Sequence, residues 1–284
     1  MSEILRVENI SYSYDERYVA LDNVSASFEA GELVAILGGN GAGKSTFFLC
    51  LNGVLRPQSG SIFLHGEKLG TTKREVFLQR QAVGLVFQDP DSQIIAGSVE
   101  SEVSFGPMNL GLAEDEVKKR VDESLQHMNI ERYRDYAPQY LSGGEKKRVS
   151  IADILAMRPE MILLDEPTAS LDPENADALE EILLAFSAAG IAVVISTHDV
   201  DFAYRVATRV IVFNQGQIIA NARPDEVFCN TNMLEEAGLK APLFYQAWQA
   251  IQGCCSIAEN MPAPKTIEAL QQQLKSVFPS VTPS

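Results

Sequence analysis

From Ile4 to Phe28 apolar and polar positions alternate, broken by a polar turn at Asp15-Glu16-Arg17 and closed by a second turn at Ala30-Gly31-Glu32. This pattern predicts an antiparallel β layer at the start of the chain. Leu33 to Leu37 is a continuous apolar run ended by glycines, as expected of a strand buried on both faces, with a helix starting near Lys44. Met161 to Leu164 and Ile191 to Ile195 are two further runs of this kind, each after a helical pattern. Strands and helices therefore alternate, and the core sheet is expected to be parallel. Between Ser98 and about Ala156 the periodicity is helical, carried for example by Val117, Val121, Ser124, Leu125 and Met128, which predicts a helical subdomain inserted between core strands. Val210 to Phe213, Asn214-Gln215-Gly216 and Gln217 to Ile219 read as strand, turn and strand. Beyond them the pattern is less regular, and the core is expected to end near Gly238. A helix is expected from about Thr266 to Val277 in a segment containing Pro262, Pro264, Pro279 and Pro283. Phe244, Tyr245 and Trp248 would share one helix face, either against the chain's own core or toward a partner.

Composition narrows the class. With 284 residues, 46% hydrophobic and 21% charged, the chain is ordinary globular material, and no run of about 18 apolar residues predicts a membrane span. The opening Met1-Ser2-Glu3-Ile4 carries no secretory pattern, which points to the cytoplasm. A formal net charge of -15 argues against nucleic-acid or anionic-lipid surfaces, so attachment to a membrane would go through proteins. Cys50, Cys229, Cys254 and Cys255 show no metal or disulfide spacing and read as reduced thiols.

The chemistry begins at Gly38-Gly39-Asn40-Gly41-Ala42-Gly43-Lys44-Ser45, which fits G-x-x-x-x-G-K-[ST] between a buried strand and a helix. Backbone N–H groups would curl around phosphate oxygens, Lys44 would offset phosphate charge, and Ser45 would ligate Mg²⁺ at the helix terminus. Met161 to Glu166 delivers two carboxylates from a strand end, Asp165 for the Mg²⁺ shell and Glu166 as general base toward water. Leu141-Ser142-Gly143-Gly144-Glu145 opens a helix and offers a second anion site, although a capped helix start looks the same. The expected fold is α/β, a P-loop NTPase core of parallel sheet and helices with the antiparallel layer and inserted helical subdomain.

These residues resemble the ATP-binding cassette family, whose signature loop is similar to Leu141 to Glu145, over Ile4 to about Gly238. The resemblance implies ATP and Mg²⁺ as ligands and a head-to-tail dimer, in which Ser142, Gly143 and Gly144 of one subunit close over ATP held by Lys44 of the other. By the same resemblance Tyr14 stacks on adenine, Gly38 to Thr46 hold phosphates, and Gln88 senses Mg²⁺ and reports to a membrane partner. Ser170-Leu171-Asp172 would join the two sites, and His198 would contact the γ-phosphate and orient water. Glu145 stands where the family most often has glutamine, which would bring negative charge near the partner's nucleotide. Glu166, His198 and the signature are intact, so a homodimer is expected, with a pair formed with a second ATP-binding cassette ATPase as the alternative.

Phe87 to Ile94 and Val99 to Leu112 resemble energy-coupling factor importers, and Arg223 to Cys229 with Leu234 to Leu239 resemble their cobalt-type ATPases. This implies a peripheral subunit on the cytoplasmic face of the cell membrane, beneath a transmembrane coupling protein and a substrate-binding membrane subunit. Residues 1–238 would be the nucleotide-binding domain, with its helical subdomain at about 98–156, and 239–284 a C-terminal helical extension that can assist dimerisation. Cobalt is the expected cargo, with nickel or a vitamin as alternatives. A soluble cassette ATPase of translation or repair is the competing class.

Overall fold

The computed structural model describes residues 2–15, 17–169, 171–254 and 261–277; Glu16, Ser170, Pro279 and Pro283 lie outside it, as do the side chains of Cys254 and Cys255. The chain opens with β1 (Glu3–Asp15) and β2 (Tyr18–Glu29), a long antiparallel pair. Next come β3 (Leu33–Leu37), α1 (Lys44–Leu51), β4 (Ser59–Leu64), β5 (Glu67–Lys68), α2 (Lys73–Ala82) and β6 (Val83–Val86). A helical block follows: α3 (Val99–Asn109), α4 (Glu114–His127) and α5 (Gly143–Ala156). The chain then returns to the core with β7 (Met161–Asp165), α6 (Pro173–Ala188), β8 (Ala192–Ser196), α7 (Val200–Val206), β9 (Arg209–Asn214) and β10 (Gln217–Ala222). It finishes with α8 (Pro224–Phe228), α9 (Thr231–Glu236), α10 (Leu243–Cys254) and α11 (Ile267–Val277).

Two sheets organise these elements: β2-β1-β4-β5, all antiparallel, and β10-β9-β3-β8-β7-β6. The second is parallel from β9 to β6, but β10 runs antiparallel to β9 at its edge, because a two-residue turn can only reverse the chain. Its central strands are buried on both faces, and their alternating side chains feed two separate cores. Leu33, Ala35 and Leu37 face the helices, with Ile162, Leu164, Val193 and Ile195. Val34 and Ile36 face α1 and the antiparallel sheet, with Met161, Leu163 and Val194.

The sequence pattern did not predict β4, β5, α2 or β6. Strand β6 is four residues, Val-Gly-Leu-Val, and its glycine is there for packing: a Cβ on Gly84 would lie 2.2 Å from Ile154 Cγ2. Helix α5 therefore approaches the sheet edge closely at this one position. At the C-terminal end the aromatic face turns inward. Trp248 is 1% exposed, while Phe244 and Tyr245 pack against the core on the helical side of the sheet. Trp248 Nε1 donates to the Met261 carbonyl at 3.1 Å, and Tyr204 Oη donates to the Ala263 carbonyl at 3.0 Å. Cys50 is buried, which pushes its thiol up to about 12, and Cys229 is exposed.

Gly84→Ala is expected to lower the unfolding free energy by roughly 1–3 kcal/mol through overpacking against Ile154. The urea midpoint reads it directly. Gly97→Ala is the control, since an added Cβ there meets nothing within 4 Å and the midpoint should stay where it is.

Candidate active site

The loop from β3 to α1 has three glycines at positive φ, Gly38 (149°), Gly41 (76°) and Gly43 (109°). At Gly43 any other residue is excluded sterically as well, because a Cβ would lie 2.5 Å from the Ala20 carbonyl oxygen. Helix α1 begins immediately afterwards at Lys44, so the loop ends on the positive pole of a helix. Lys44 is 8% exposed, and its Nζ arches back to donate to the Gly38 carbonyl at 2.7 Å and the Gly39 carbonyl at 3.2 Å. Burial lowers its pKa, with Glu166 and Asp165 pulling the opposite way.

Asp165 ends β7 opposite Ser196, the last residue of β8. Its Oδ2 accepts from Ser45 Oγ at 2.7 Å and its Oδ1 accepts from Ser196 Oγ. A hydroxyl and a carboxylate oxygen thus stand side by side at the phosphate loop. This hard-oxygen pair fits Mg²⁺, which is usually held by one or two protein oxygens plus substrate phosphates. Among the described residues no cluster of three or more His, Cys, Asp or Glu offers an all-protein metal cage.

Glu166 follows with φ 44°, uncommon for a non-glycine residue, and its N–H donates to the Ser196 carbonyl at 2.9 Å. Its carboxylate is mostly shielded, with 12% of the side chain exposed, and Oε2 lies 2.9 Å from Nδ1 of the exposed His198. Two aromatics stand at the other end of the loop. Tyr14 Oη is 3.2 Å from Thr46 Oγ1, Tyr18 Oη donates to the Gly41 carbonyl at 3.3 Å, and the two rings stack with centroids 6.2 Å apart.

A single cleft is lined by Tyr18, Gln88, Asp165, Glu166 and the loop from Asn40 through Ala42 to Thr46. His198 joins it through Glu166, and Tyr14 through Thr46. Ser142, Gly143 and Gly144 do not line it: Ser142 caps α5 and the glycines form that helix's first turn. Ser170 lies outside the described residues, while Asp172 caps α6 by accepting from Asn175 N. Sequence reasoning missed Tyr18 and Ser196. Tyr18 carries a visible signal, as a second aromatic just across the β1–β2 turn; Ser196 carries none.

The residues at 21–169 match the model of the ABC transporter family. The chain is 49% identical over 239 residues to the energy-coupling factor transporter ATP-binding protein EcfA of Methanothermobacter thermautotrophicus, covering 84% of this chain and 77% of that one. The chain belongs to the ABC transporter ATP-binding family. It is an ABC ATPase. Its structure superposes on cbiO1 of Clostridium perfringens, part of the ABC transporter complex cbiONQ, with TM-score 0.75 and 40% identity, covering 83% of this chain and 94% of that one. It also superposes on an ATP-binding cassette solved as a post-hydrolysis dimer with ADP and Pi, with TM-score 0.69 and 29% identity, over 78% and 98% of the two chains.

In this ABC ATPase helix α5 and the Gln88 loop are physically joined. Lys147, buried on α5, donates through Nζ to the Phe87 carbonyl at 2.8 Å and the Gln88 carbonyl at 2.9 Å. Burial pushes its pKa down to about 8. The following segment is tied to the helical block: Gln93 Nε2 donates to the Ser150 carbonyl at 3.1 Å, and Glu102 Oε2 accepts from Ile95 N at 2.9 Å and Ala96 N at 2.6 Å. Arg148 reaches Asn175 Oδ1 at 3.3 Å, linking α5 to the start of α6. Neither Lys147 nor Glu102 was picked out from the sequence.

Asp153 on α5 lies within this cluster, and burial, with Glu102 adding to it, pushes its carboxyl from 3.8 up to about 7. The folded state then binds more protons than the unfolded chain between those values, so stability falls as pH rises from about 4 to about 7. Asp153→Asn removes that dependence. In urea unfolding the variant is expected to match the native chain near pH 4 and to exceed it by on the order of 1–3 kcal/mol at pH 8.

Proposed function

We propose that this chain is the ATP-hydrolysing subunit of an energy-coupling factor importer, working as a twofold dimer on the cytoplasmic face of the cell membrane. The contact that carries the reading is Glu166 Oε2 to His198 Nδ1, at the lip of the cleft that holds Lys44, Ser45 and Asp165. A shielded carboxylate beside the phosphate loop, positioned by an exposed imidazole, is a general base aimed at a water attacking the terminal phosphoryl group.

The positions support the roles that the family resemblance implies. Lys44 and the N–H groups from Gly38 to Thr46 bind the phosphates, Tyr14 stacks on the adenine, and Ser45, Asp165 and Gln88 would hold Mg²⁺. That ion supplies neutralisation of phosphate charge when bound. Ser196 fixes the Asp165 carboxylate, and Glu166 takes the proton of the attacking water while His198 orients it. Ser142, Gly143 and Gly144 stand outside the chain's own cleft, which supports their use against the partner's nucleotide. The partner is a second copy of this chain, or a second ABC ATPase. Closing on ATP and parting after hydrolysis is the mechanical output.

Residues 1–238 form the nucleotide-binding domain, with its helical subdomain at about 98–156, and 239–284 the C-terminal extension. Among the described residues no helix is long and apolar enough to cross a membrane. On the likeness of Phe87 to Ile94 and Val99 to Leu112 to energy-coupling factor importers, a transmembrane coupling protein and a substrate-binding membrane subunit are the proposed membrane components, met through the segment after Gln88. Cobalt is the proposed cargo, on the likeness of Arg223 to Cys229 and Leu234 to Leu239 to cobalt-type ATPases; nickel or a vitamin is the alternative.

Glu166→Gln is expected to bind ATP, accumulate as a closed dimer in sedimentation and turn over at least about a hundredfold more slowly. Near-normal turnover removes Glu166 as the base. In host cells lacking the gene, the native chain should restore cobalt uptake and Glu166→Gln should not. Restoration of nickel or vitamin uptake instead reassigns the cargo.

A further inference from the structure

The departure at Glu145 has a structural counterpart in the helical block. Ser142 Oγ accepts from Glu145 N at 3.3 Å as the cap of α5, and Glu145 folds back in return. Its Oε2 accepts from Ser142 N at 2.8 Å and from Ser142 Oγ at 2.9 Å. Its Oε1 accepts from Tyr133 Oη, and the Arg132 guanidinium lies 4.6 Å over the Tyr133 ring. Both carboxylate oxygens are thus turned into the subunit, and the Ser142 hydroxyl proton is spent on one of them. The hydrogen bond from Tyr133, then those from Ser142, hold the Glu145 carboxyl below the usual carboxylate range, so the clasp contains a full negative charge.

We propose that Tyr133 and Glu145 are positioning residues that set how readily the signature serine engages the partner's nucleotide. The inference rests on the composite-dimer reading above. Glu145 holds the Ser142 hydroxyl inward with a charged acceptor, which is a stronger hold than a neutral amide oxygen would give. For Ser142 to donate to a phosphate oxygen across the interface, that bond must open. Tyr133 has the complementary task of keeping the carboxylate folded back, away from the phosphates arriving on the partner. Without Tyr133 the carboxylate keeps only its Ser142 bonds, and when the Ser142 hydroxyl turns to the partner the charge swings outward more readily and repels those phosphates.

The two residues therefore act in opposite directions, and a purely structural role would not produce this. The test measures ATP-dependent dimerisation by sedimentation, in the full chain carrying Glu166→Gln so that ATP is not consumed. Glu145→Gln is expected to lower the ATP concentration for half-dimerisation, and Tyr133→Phe to raise it, each by on the order of threefold to tenfold. The double variant should behave like Glu145→Gln, since Tyr133 then has no charge to hold. If both single variants shift the same way, or neither shifts while the dimer still forms, the clasp is overturned and the dimer reading stands. If no variant dimerises with ATP, the dimer reading falls and takes the clasp with it.

Discussion

The site depends on one backbone seam, where the two sheets meet at Gly43. The Ala20 carbonyl of β2 lies against that glycine, closer than any side chain would allow. The turn between β9 and β10 closes the seam from the other side: Gly216 N donates to the Ala42 carbonyl at 3.0 Å, and Asp22 N donates to the Gly216 carbonyl at 2.9 Å. Two segments far from the phosphate loop in the chain, β2 and the β9–β10 turn, thus hold it by its main chain. The antiparallel layer belongs to the cleft for this reason, because it packs against the loop at Gly43 and brings Tyr14 and Tyr18 to its edge.

Strand register does the remaining placement. β3, β7 and β8 run parallel, so their carboxyl ends share one edge of the sheet, and the loop, the Asp165–Glu166 pair and His198 emerge together. Asp165 opposite Ser196 is a register pair, and the hydroxyl there restrains the carboxylate that also meets Ser45. Helix α5 connects this edge with the helical block. One end carries Ser142 and its glycines, Lys147 grips the Gln88 loop, and Ile154 further along packs on Gly84. The Gln88 loop is thus held to the helix that begins at Ser142 by the buried Lys147 ammonium group, and the segment after it by Gln93 and Asp91.

The legible parts of the sequence were those whose chemistry is contiguous. The phosphate loop, the acidic pair and the capped start of α5 each occupy one short window, and the buried strands announce themselves as apolar runs. Strand β6 was not legible because its glycine interrupts a four-residue run, whereas β10 was legible because the polar two-residue turn after β9 marks it. Glu145 shows the limit from the other side. Its identity suggested charge near the partner's nucleotide, whereas its conformation turns that charge back onto Ser142 and Tyr133.

The family, the α/β class and the residues proposed to bind phosphate, hold Mg²⁺ and take a proton could be read along the chain, because each is a residue type at a fixed spacing within one short window. Which of them share a cleft, which carbonyls Lys44 and Lys147 grip, and where Glu145 points came from the folded chain alone. Those contacts join residues 31 apart for Asp165 with Ser196, 60 apart for Lys147 with Phe87, and 12 apart for Tyr133 with Glu145. Local propensity carries no information across such separations. Register, burial and the directionality of hydrogen bonds do.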